Sequence, residues 1–565
     1  MATAVAVAVL VVLGVILRMW LLAHDPIDAD QAVVGLMAQA IDRGHPMVFY
    51  WGQAYGGVEP YVTAALIAVF GLHPWVVNAT PALLAAIGSL VAWRLVRALS
   101  GSSGAGAVAG ALIWVWSEAD LWSSTREYGF RGVVLVCSLL VLLAVAHLVD
   151  DDRRVGSWIL LGAAAGLGWW ASPEILYVAV PALVATVWIV VRAVRRHGAP
   201  ALRPAAAGVV ATGVALAPWL VGSVHDHFAS LGEATAGQGP GAMGYTGRLQ
   251  VFLVHTLPMV FGARLPVTGA WLGGRAVGIG VLAATITVLL AGMAVAARRL
   301  PAARVVVVAA VAYPFIEAAM GPTWYWRDGR YGMYLPAVAV VAAVAGWDRW
   351  LRGRRLPATA APPDHLVADG AHDHGAVRAA PAENRGWRAA AAVAGCACAA
   401  ASVVAGIDAA TAVPGSTALS GFAAAPASIT GHPDATARSV AEDLVAQHVT
   451  RAYADYWVAY DLDLFTGGRL VVTPARFVRA PTLAATVARA HRSAWLFAGP
   501  STADVIAYKQ QFQNPELGPM GMDASRFTTV LRAHGIAYRT VPVGAVVAIV
   551  PATPVTPQWV VANSG

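Results

Sequence analysis

The most constraining feature of this sequence is a series of uninterrupted apolar runs of about 20 residues, the length that a helix needs to cross a hydrocarbon core of about 30 Å. Charged residues make up 12% of the 565-residue chain, whereas ordinary soluble domains have about 25%. A soluble globular protein is therefore excluded. The chain is expected to be mainly α-helical and to cross a membrane many times.

The apolar runs predict about 11 transmembrane helices, at 4–23, 75–97, 103–117, 130–149, 157–171, 174–192, 203–222, 274–297, 303–320, 333–351 and 389–408. Arginines accumulate in short cytoplasmic loops of membrane proteins. With the N-terminus inside, every arginine-rich loop between these runs falls inside, provided that the apolar stretch 58–71 does not cross. That stretch is therefore predicted to be an in-plane helix, and a short tilted span is the alternative.

The composition also divides the chain into domains. Residues 1–352 are predicted to form the transmembrane domain, and 353–388, rich in Pro, Ala, His and Asp, to form a flexible cytoplasmic linker. The last transmembrane helix, 389–408, then leads to residues 409–565. Helix-like and strand-like segments alternate there, which predicts a small extracytoplasmic α/β domain. A multi-pass protein of the cytoplasmic (plasma) membrane follows.

The loops assigned to the outside are rich in acids, arginines and aromatic residues, unlike the inner loops. The first two of them contain Asp28, Asp30, Gln53, Tyr55, Glu59, Arg126 and Glu127. Converging loops of this composition suit the binding of a polar substrate beside lipid. An interfacial belt of aromatic residues with solvated charges is the alternative.

Two outer segments are more specific. The segment 30–42 places Val33 and Met37 on one face, which predicts an amphipathic helix lying in the interface and begun by Asp28 or Asp30; a helix-capping role is the alternative for either carboxylate. Arg327 and Arg330 lie outside, against the general charge bias. Guanidinium groups match phosphate oxygens, so a lipid phosphate is the predicted ligand, and pairing with a neighbouring acid is the alternative.

Three passages of these outer loops resemble the membrane-embedded GT-C glycosyltransferases, which include bacterial protein O-mannosyltransferases and the lipid A aminoarabinose transferase. They are D-A-D-Q-A-V-V-G-L-M-A-Q-A-I from Asp28, F-Y-W-G-Q-A-Y-G-G-V-E-P-Y from Phe49 and R-D-G-R-Y-G-M-Y-L-P from Arg327. The family usually has Asp-Glu where this chain has Asp30-Gln31. The register of the catalytic carboxylate, Asp28 or Asp30, therefore stays open.

The resemblance implies an inverting transferase that moves a sugar from a polyprenyl-phosphate donor to an acceptor hydroxyl on the outer face. It implies Asp30 as the general base and Arg330, Arg327 and Tyr331 at the donor phosphate. Asp28, Gln53, Tyr55, Glu59, Arg126 and Glu127 are then expected to shape the substrate pockets. No metal site is required by the spacing, although carboxylates such as Asp28 and Glu59 leave a divalent cation open.

The expected partners are a polyprenyl-phosphate-linked sugar, membrane lipid and a lipid, polysaccharide or protein acceptor. The chain lacks a Gly-rich phosphate loop, which argues against nucleotide-sugar or ATP chemistry. Its net charge of +7 comes from arginines in short loops, which indicates topology and not a nucleic-acid surface. Two other functions stay open, namely a transporter or flippase of a lipid-linked sugar and a non-catalytic receptor.

Overall fold

A computed structural model describes residues 2–24, 27–229, 231, 243–266, 269–320, 329–353, 433–498, 519–544 and 546–564. The first ten helices are α1 Ala2–His24, α2 Ala29–Asp42, α3 Glu59–Phe70, α4 Pro74–Ser100, α5 Ser103–Val115, α6 Glu118–Ser123, α7 Arg131–Asp150, α8 Val155–Ala171, α9 Leu176–His197 and α10 Leu202–His225. They are followed by α11 Tyr245–Val251, α12 Leu257–Val260, α13 Arg275–Arg299, α14 Ala303–Ala319 and α15 Tyr334–Gly353.

Each predicted span from 4–23 to 333–351 corresponds to one of these helices, which confirms a mainly helical fold. Within the described ranges, six helices are long and apolar enough to cross a membrane. The predicted linker beyond residue 353 and the predicted last span, 389–408, lie outside the described residues.

The stretch predicted to lie in the membrane plane is the short helix α3. Its 12 residues extend for about 18 Å at the usual rise of an α-helix, well short of a hydrocarbon core of about 30 Å. A glycine, Gly71, ends the helix with a positive φ of 78°, a conformation that residues with a Cβ rarely adopt. Its length agrees with the predicted in-plane helix.

Two helix crossings in the bundle depend on glycine. A Cβ on Gly162 of α8 would lie 2.0 Å from the carbonyl oxygen of Gly208 in α10, and a Cβ on Gly346 of α15 would lie 1.9 Å from that of Gly292 in α13. Small residues of this kind let membrane helices approach closely enough for backbones to touch. These contacts fix how α8–α10 and α13–α15 pack.

The loops gather at two ends of the bundle. At one end Arg192 pairs with Asp152 at 3.7 Å, and Arg352 donates to the carbonyl oxygen of Ser100. At the other end lie the acid-rich and aromatic loops 27–58, 116–130, 172–175 and 329–333, which we call the loop face. The two groups of loops that the charge pattern separated are therefore at opposite ends.

The C-terminal part forms a separate α/β unit, called here the C-terminal domain. Its helices are α16 Pro433–Ala446, α17 Tyr456–Leu464, α18 Pro481–Ala488, α19 Ala524–Ala533 and α20 Pro557–Asn563, and its strands are β1 Arg451–Ala454, β2 Val471–Pro474, β3 Ala494–Ala498, β4 Tyr538–Val543 and β5 Val546–Pro551. The strand order is β2-β1-β3-β5-β4. The first three strands are parallel, and β5 runs antiparallel to both of its neighbours. The predicted small α/β fold is confirmed.

The C-terminal domain packs on the loop face through α17 and α2. Trp457, Tyr460 and Leu464 share one buried apolar cluster with Val33 and Met37. The segment 31–38 of α2 is consequently buried on every side. The prediction of an interfacial helix with one apolar face was therefore wrong for most of α2, because Leu464 of α17, more than 400 residues away in sequence, covers the opposite face at Gly35 and Gln39.

Candidate active site

At the N-terminus of α2, Asp28 and Asp30 have different contacts, which distinguishes the two carboxylates that the sequence left as alternatives for the base. Asp28 caps the helix: its Oδ1 accepts from the Gln31 amide at 3.0 Å, and the Gln31 side chain accepts from the Asp28 amide at 3.0 Å. This reciprocal capping box satisfies two helix-end amides. Asp30 lies in the first turn and is partly exposed. The capping role therefore falls to Asp28, and Asp30 keeps a solvent-accessible carboxylate.

Asp28 is also paired with an arginine from the second loop. Its Oδ2 lies 3.6 Å from Nη1 of Arg126, and both side chains are buried. Burial, reinforced by the charge of Asp30, raises the pKa of Asp28 to about 7, although Arg126 and Arg330 oppose the shift. The guanidinium of Arg126 lies 3.7 Å from the centre of the Trp122 ring. The fold thus holds the charge of Arg126 between an aromatic face and a carboxylate.

The partly exposed Asp30 contacts the C-terminal domain. Its Oδ1 accepts a hydrogen bond from the Tyr456 hydroxyl at 2.5 Å, and its backbone carbonyl accepts from the Tyr50 hydroxyl at 3.1 Å. Arg479 lies beside both tyrosines, with its guanidinium carbon 6.0 Å from the Tyr50 ring centre. Burial alone would lower the pKa of Arg479, but Tyr456, Asp30 and Tyr50 together raise it above its usual value. No motif in the sequence indicated Tyr456 or Arg479.

Arg330 and Tyr331 lie on the same face as these carboxylates. The Arg330 guanidinium is buried 4.4 Å from the centre of the Tyr128 ring, and its charge acts on Asp28. The Tyr331 ring centre lies 5.2 Å from the Arg131 guanidinium, and its carbonyl accepts from Tyr313 at 2.7 Å. Arg327, the third residue predicted at the donor phosphate, lies outside the described residues.

A second buried charge pair lies next to Tyr331. Nη2 of Arg131 is 3.0 Å from Oε1 of Glu174, whose Oε2 accepts from the Tyr334 hydroxyl at 2.6 Å. Tyr55 belongs to this group, because its pKa is raised by burial and by the nearby Tyr331 and Glu174. Neither Arg131 nor Glu174 was predicted from the sequence. Arg131 carried the same signal as Arg330, an arginine at the lip of a predicted span on the arginine-poor side.

Glu59 and Glu127 form a third buried pair. Oε2 of Glu59 accepts from the Val133 amide at 3.3 Å, in the first turn of α7, and Oε1 of Glu127 accepts from the Gly129 amide at 2.7 Å. Burial raises the pKa of Glu59 to about 7 and that of Glu127 well above its usual range, and the charge of Glu59 adds to the shift of Glu127. The surroundings therefore favour the protonated form of both carboxyls.

The charged groups surround one small cavity of about 30 Å³, which has room for a few water molecules. Its polar lining consists of Arg18, Glu59, Asp120, Ser123, Ser124, Arg126, Tyr128 and Arg131. Arg18 is a charged residue inside a predicted span, a position at which a functional role is the default hypothesis. Three arginines line the cavity, so its chemistry suits an anion, but its present volume does not admit a sugar.

The remaining predictions are less central. Gln53 lies in the turn after Tyr50, and its buried Oε1 accepts no hydrogen bond within the described part of the chain. Among the residues that the structure describes, no group of three His, Cys, Asp or Glu side chains is arranged to hold a metal ion. The structure therefore brings together Asp28, Asp30, Tyr55, Glu59, Arg126, Glu127, Arg330 and Tyr331 on one face.

Comparisons with known proteins identify the fold that carries these residues. The family model of dolichyl-phosphate-mannose-protein mannosyltransferases matches residues 57–221. ArnT from Cupriavidus metallidurans, solved with bound undecaprenyl phosphate, superposes with a TM-score of 0.57 at 15% identity and covers 97% of this chain and 98% of its own. The chain has the GT-C glycosyltransferase fold. The same ArnT in the apo state gives a TM-score of 0.54 at 16% identity, covering 98% and 99% of the two chains.

No curated protein sequence matches the chain. The resemblance to GT-C glycosyltransferases that the three loop motifs predicted is nevertheless confirmed, by the family model over residues 57–221, which begins inside the second motif, and by the fold over almost the whole chain. The matched family consists of glycosyltransferases, which is the predicted class of enzyme. In this GT-C fold, the α2 N-terminus, the cavity and the 329–333 loop all lie on the loop face.

Proposed function

We propose that this protein moves a sugar from a polyprenyl-phosphate donor to an acceptor hydroxyl, with inversion at the sugar, on the outer face of the cytoplasmic membrane. The observation that supports the proposal most directly is the different surroundings of the two carboxylates at the start of α2. Asp28 is buried, caps the helix and lies 3.6 Å from Arg126, whereas Asp30 beside it is partly exposed. A general base must reach the proton that it removes, and Asp30 meets that condition better than Asp28.

The arginines of the loop face supply the other half of the reaction. A phosphate leaves readily when its developing charge is stabilised, and preorganised guanidinium groups in a water-poor site do this well. Arg330 and Arg126 act on Asp28 from two different loops, and Arg131 lines the same cavity as Arg126. We assign Arg330 and Arg126 to the donor phosphate, together with Arg327 from the sequence prediction.

The reaction follows from these roles. Asp30 takes the proton of the acceptor hydroxyl as its oxygen forms a bond to the anomeric carbon. The bond from that carbon to the phosphate oxygen breaks on the opposite side, and its electron pair leaves with the polyprenyl phosphate. Because the cavity holds only a few water molecules as it stands, donor binding requires side chains at its mouth to move.

The proposal also fixes orientation. The arginine-rich loops are assigned to the cytoplasm by the positive-inside rule, so the loop face and the C-terminal domain lie outside. The linker 353–388 then lies inside, and the span 389–408 carries the chain across to the domain that begins at residue 409. A lipid-linked donor flipped to the outer leaflet would reach the arginines from the membrane side.

The test is a transfer assay with purified protein, labelled polyprenyl-phosphate mannose or arabinose, and membrane extract as the source of acceptor. Asp30→Asn should reduce transfer at least a hundredfold, at the lower end of what a general base contributes. Asp42→Asn, at the other end of the same helix, is the matched control and should retain activity. Transfer that is unaffected by Asp30→Asn would refute the assignment of the base.

The same preparation separates this function from its main alternative. A flippase would move the labelled lipid between leaflets of a proteoliposome without forming a new glycosidic bond. Leaflet movement without any transfer product, with every donor and acceptor extract tried, would contradict the transferase proposal.

A further inference from the structure

The C-terminal domain presents the carboxyl ends of strands β1 and β2 to the loop face. Strand β1 lies between β2 and β3, and all three are parallel. The chain leaves β1 through α17 to reach β2 on one side, and later enters β3 on the other side. Open sheets bind ligands in the crevice outside the carboxyl ends of their parallel strands.

The residues that follow β1 and β2 lie at this edge and contact the catalytic segment. Tyr456 comes two residues after β1 and donates its hydroxyl to Oδ1 of Asp30 at 2.5 Å. Arg479 comes five residues after β2, next to the turn that contains Gly52: a Cβ on Gly52 would lie 3.1 Å from its Cα. The carboxyl ends of β1 and β2 and the carboxylate assigned as the base therefore face each other.

The contact is built into the packing of both parts. The Tyr460 hydroxyl accepts from the backbone amides of Arg479 and Ala480, at 2.8 and 3.2 Å, which holds the loop after β2. The side-chain amide of Gln39 donates to the carbonyl oxygen of Leu464 at 3.3 Å, and α17 packs on α2 through a buried apolar cluster. Tyr456 and Arg479 are thus held at Asp30 by two anchored segments.

We infer that the acceptor binds between the carboxyl edge of β1 and β2 and the N-terminus of α2, where Tyr456 positions the Asp30 carboxylate and Arg479 contacts the acceptor. This inference rests on the proposed function. Tyr456 holds Oδ1, and Oδ2 of Asp30 receives the proton of the acceptor hydroxyl as the new glycosidic bond forms and the sugar–phosphate bond breaks. The acceptor is a hydroxyl-bearing molecule that approaches from the C-terminal domain, opposite the lipid-linked donor.

If the assignment is correct, substitutions at this site should change kcat or the KM for the acceptor and leave the KM for the donor unchanged. Tyr456→Phe keeps the ring that packs against Trp457 and Tyr460 and removes only the hydroxyl. Loss of a hydrogen bond to a charged group corresponds to about tenfold to a hundredfold, so kcat should fall by about that factor while the KM for the donor is unchanged. Arg479→Gln should raise the KM for the acceptor about tenfold, again without an effect on the donor KM.

Two control variants make the same chemical changes away from the edge. Tyr538→Phe lies on β4 at the far side of the sheet, and Arg476→Gln changes an exposed arginine of the same loop as Arg479. Both should leave kcat and the two KM values within about twofold of wild type, because surface changes away from a site are worth about 0.5 kcal/mol or less. Thermal denaturation of each variant checks that it is folded.

The outcomes separate the inference from the function on which it rests. Wild-type protein that transfers no sugar, or transfer that survives Asp30→Asn, refutes the proposed function itself. If transfer depends on Asp30 but Tyr456→Phe and Arg479→Gln have no more effect than their controls, the acceptor site alone is refuted. An increase confined to the donor KM also overturns it, because these residues would then serve the donor side.

Discussion

The buried carboxyl of Glu59 makes the stability of this protein depend on pH in a predictable direction. An exposed glutamate has a pKa of 4.5, and burial raises that of Glu59 to about 7 although the Val133 amide and Glu127 oppose the shift. The folded state therefore holds more protons than the unfolded state between these two values. By linkage, the contribution of Glu59 to stability falls as pH rises through this window and stays at its lowest above pH 7.

The size of the effect follows from the same two values. A pKa raised from 4.5 to about 7 corresponds to about 3 kcal/mol, as an order of magnitude. Glu59→Gln removes the charge and keeps an oxygen that accepts from the Val133 amide. At pH 8 the free energy of unfolding of the variant should exceed that of wild type by up to about 3 kcal/mol, and at pH 4.5 the two should nearly coincide.

The assay is thermal or denaturant unfolding of the purified protein in detergent, across pH 4.5 to 8. Glu442→Gln removes an exposed carboxyl from the C-terminal domain and serves as the control. Its free energy of unfolding should differ from that of wild type by the same amount at every pH in the series. If Glu59→Gln is less stable than wild type at pH 8, or its advantage grows as pH falls, the reasoning from burial is refuted.

Substitutions at three further contacts give predictions that are checked by unfolding measurements or by the yield of folded protein. Glu174→Ala should destabilise by about 3–5 kcal/mol because it leaves Arg131 charged and buried, and adding Arg131→Met should restore part of the loss; equal loss in the double variant would contradict this. Asp28→Asn keeps the helix cap and loses the pairing with Arg126, so it should be about 1 kcal/mol more stable than Asp28→Ala. Gly346→Val should prevent α13 and α15 from packing and yield little folded protein.

The parts of this fold that follow from local patterns were predictable. Ten predicted spans correspond to helices whose bounds agree within a few residues, because the length and apolar character of a membrane helix can be recognised in contiguous sequence. The prediction that 58–71 lies in the membrane plane followed from the charge of later loops, and the 12-residue helix found there agrees with it in length. The loops containing Asp30, Arg126 and Arg330 were grouped correctly on one face for the same reason.

The rest depends on contacts between distant segments. Tyr456 and Asp30 are 426 positions apart, and nothing near either residue indicates the other. The burial of α2 was missed for the same reason, since the face that carries Gly35 and Gln39 is covered by α17 of the C-terminal domain. Arg131 and Glu174 could have been found, because a buried arginine at the lip of a span requires a partner. The loops that form the site could be predicted from the sequence, but the contacts between their residues could not.

The central claim is that Asp30 is the base of a transfer from a polyprenyl-phosphate sugar. The most direct measurement compares wild type, Asp30→Asn and Asp42→Asn for label transfer from a polyprenyl-phosphate sugar to extracted acceptor, with folding checked by thermal denaturation. We expect transfer by wild type and by Asp42→Asn, and a rate of transfer at least a hundredfold lower for folded Asp30→Asn. Equal transfer by all three proteins would contradict it.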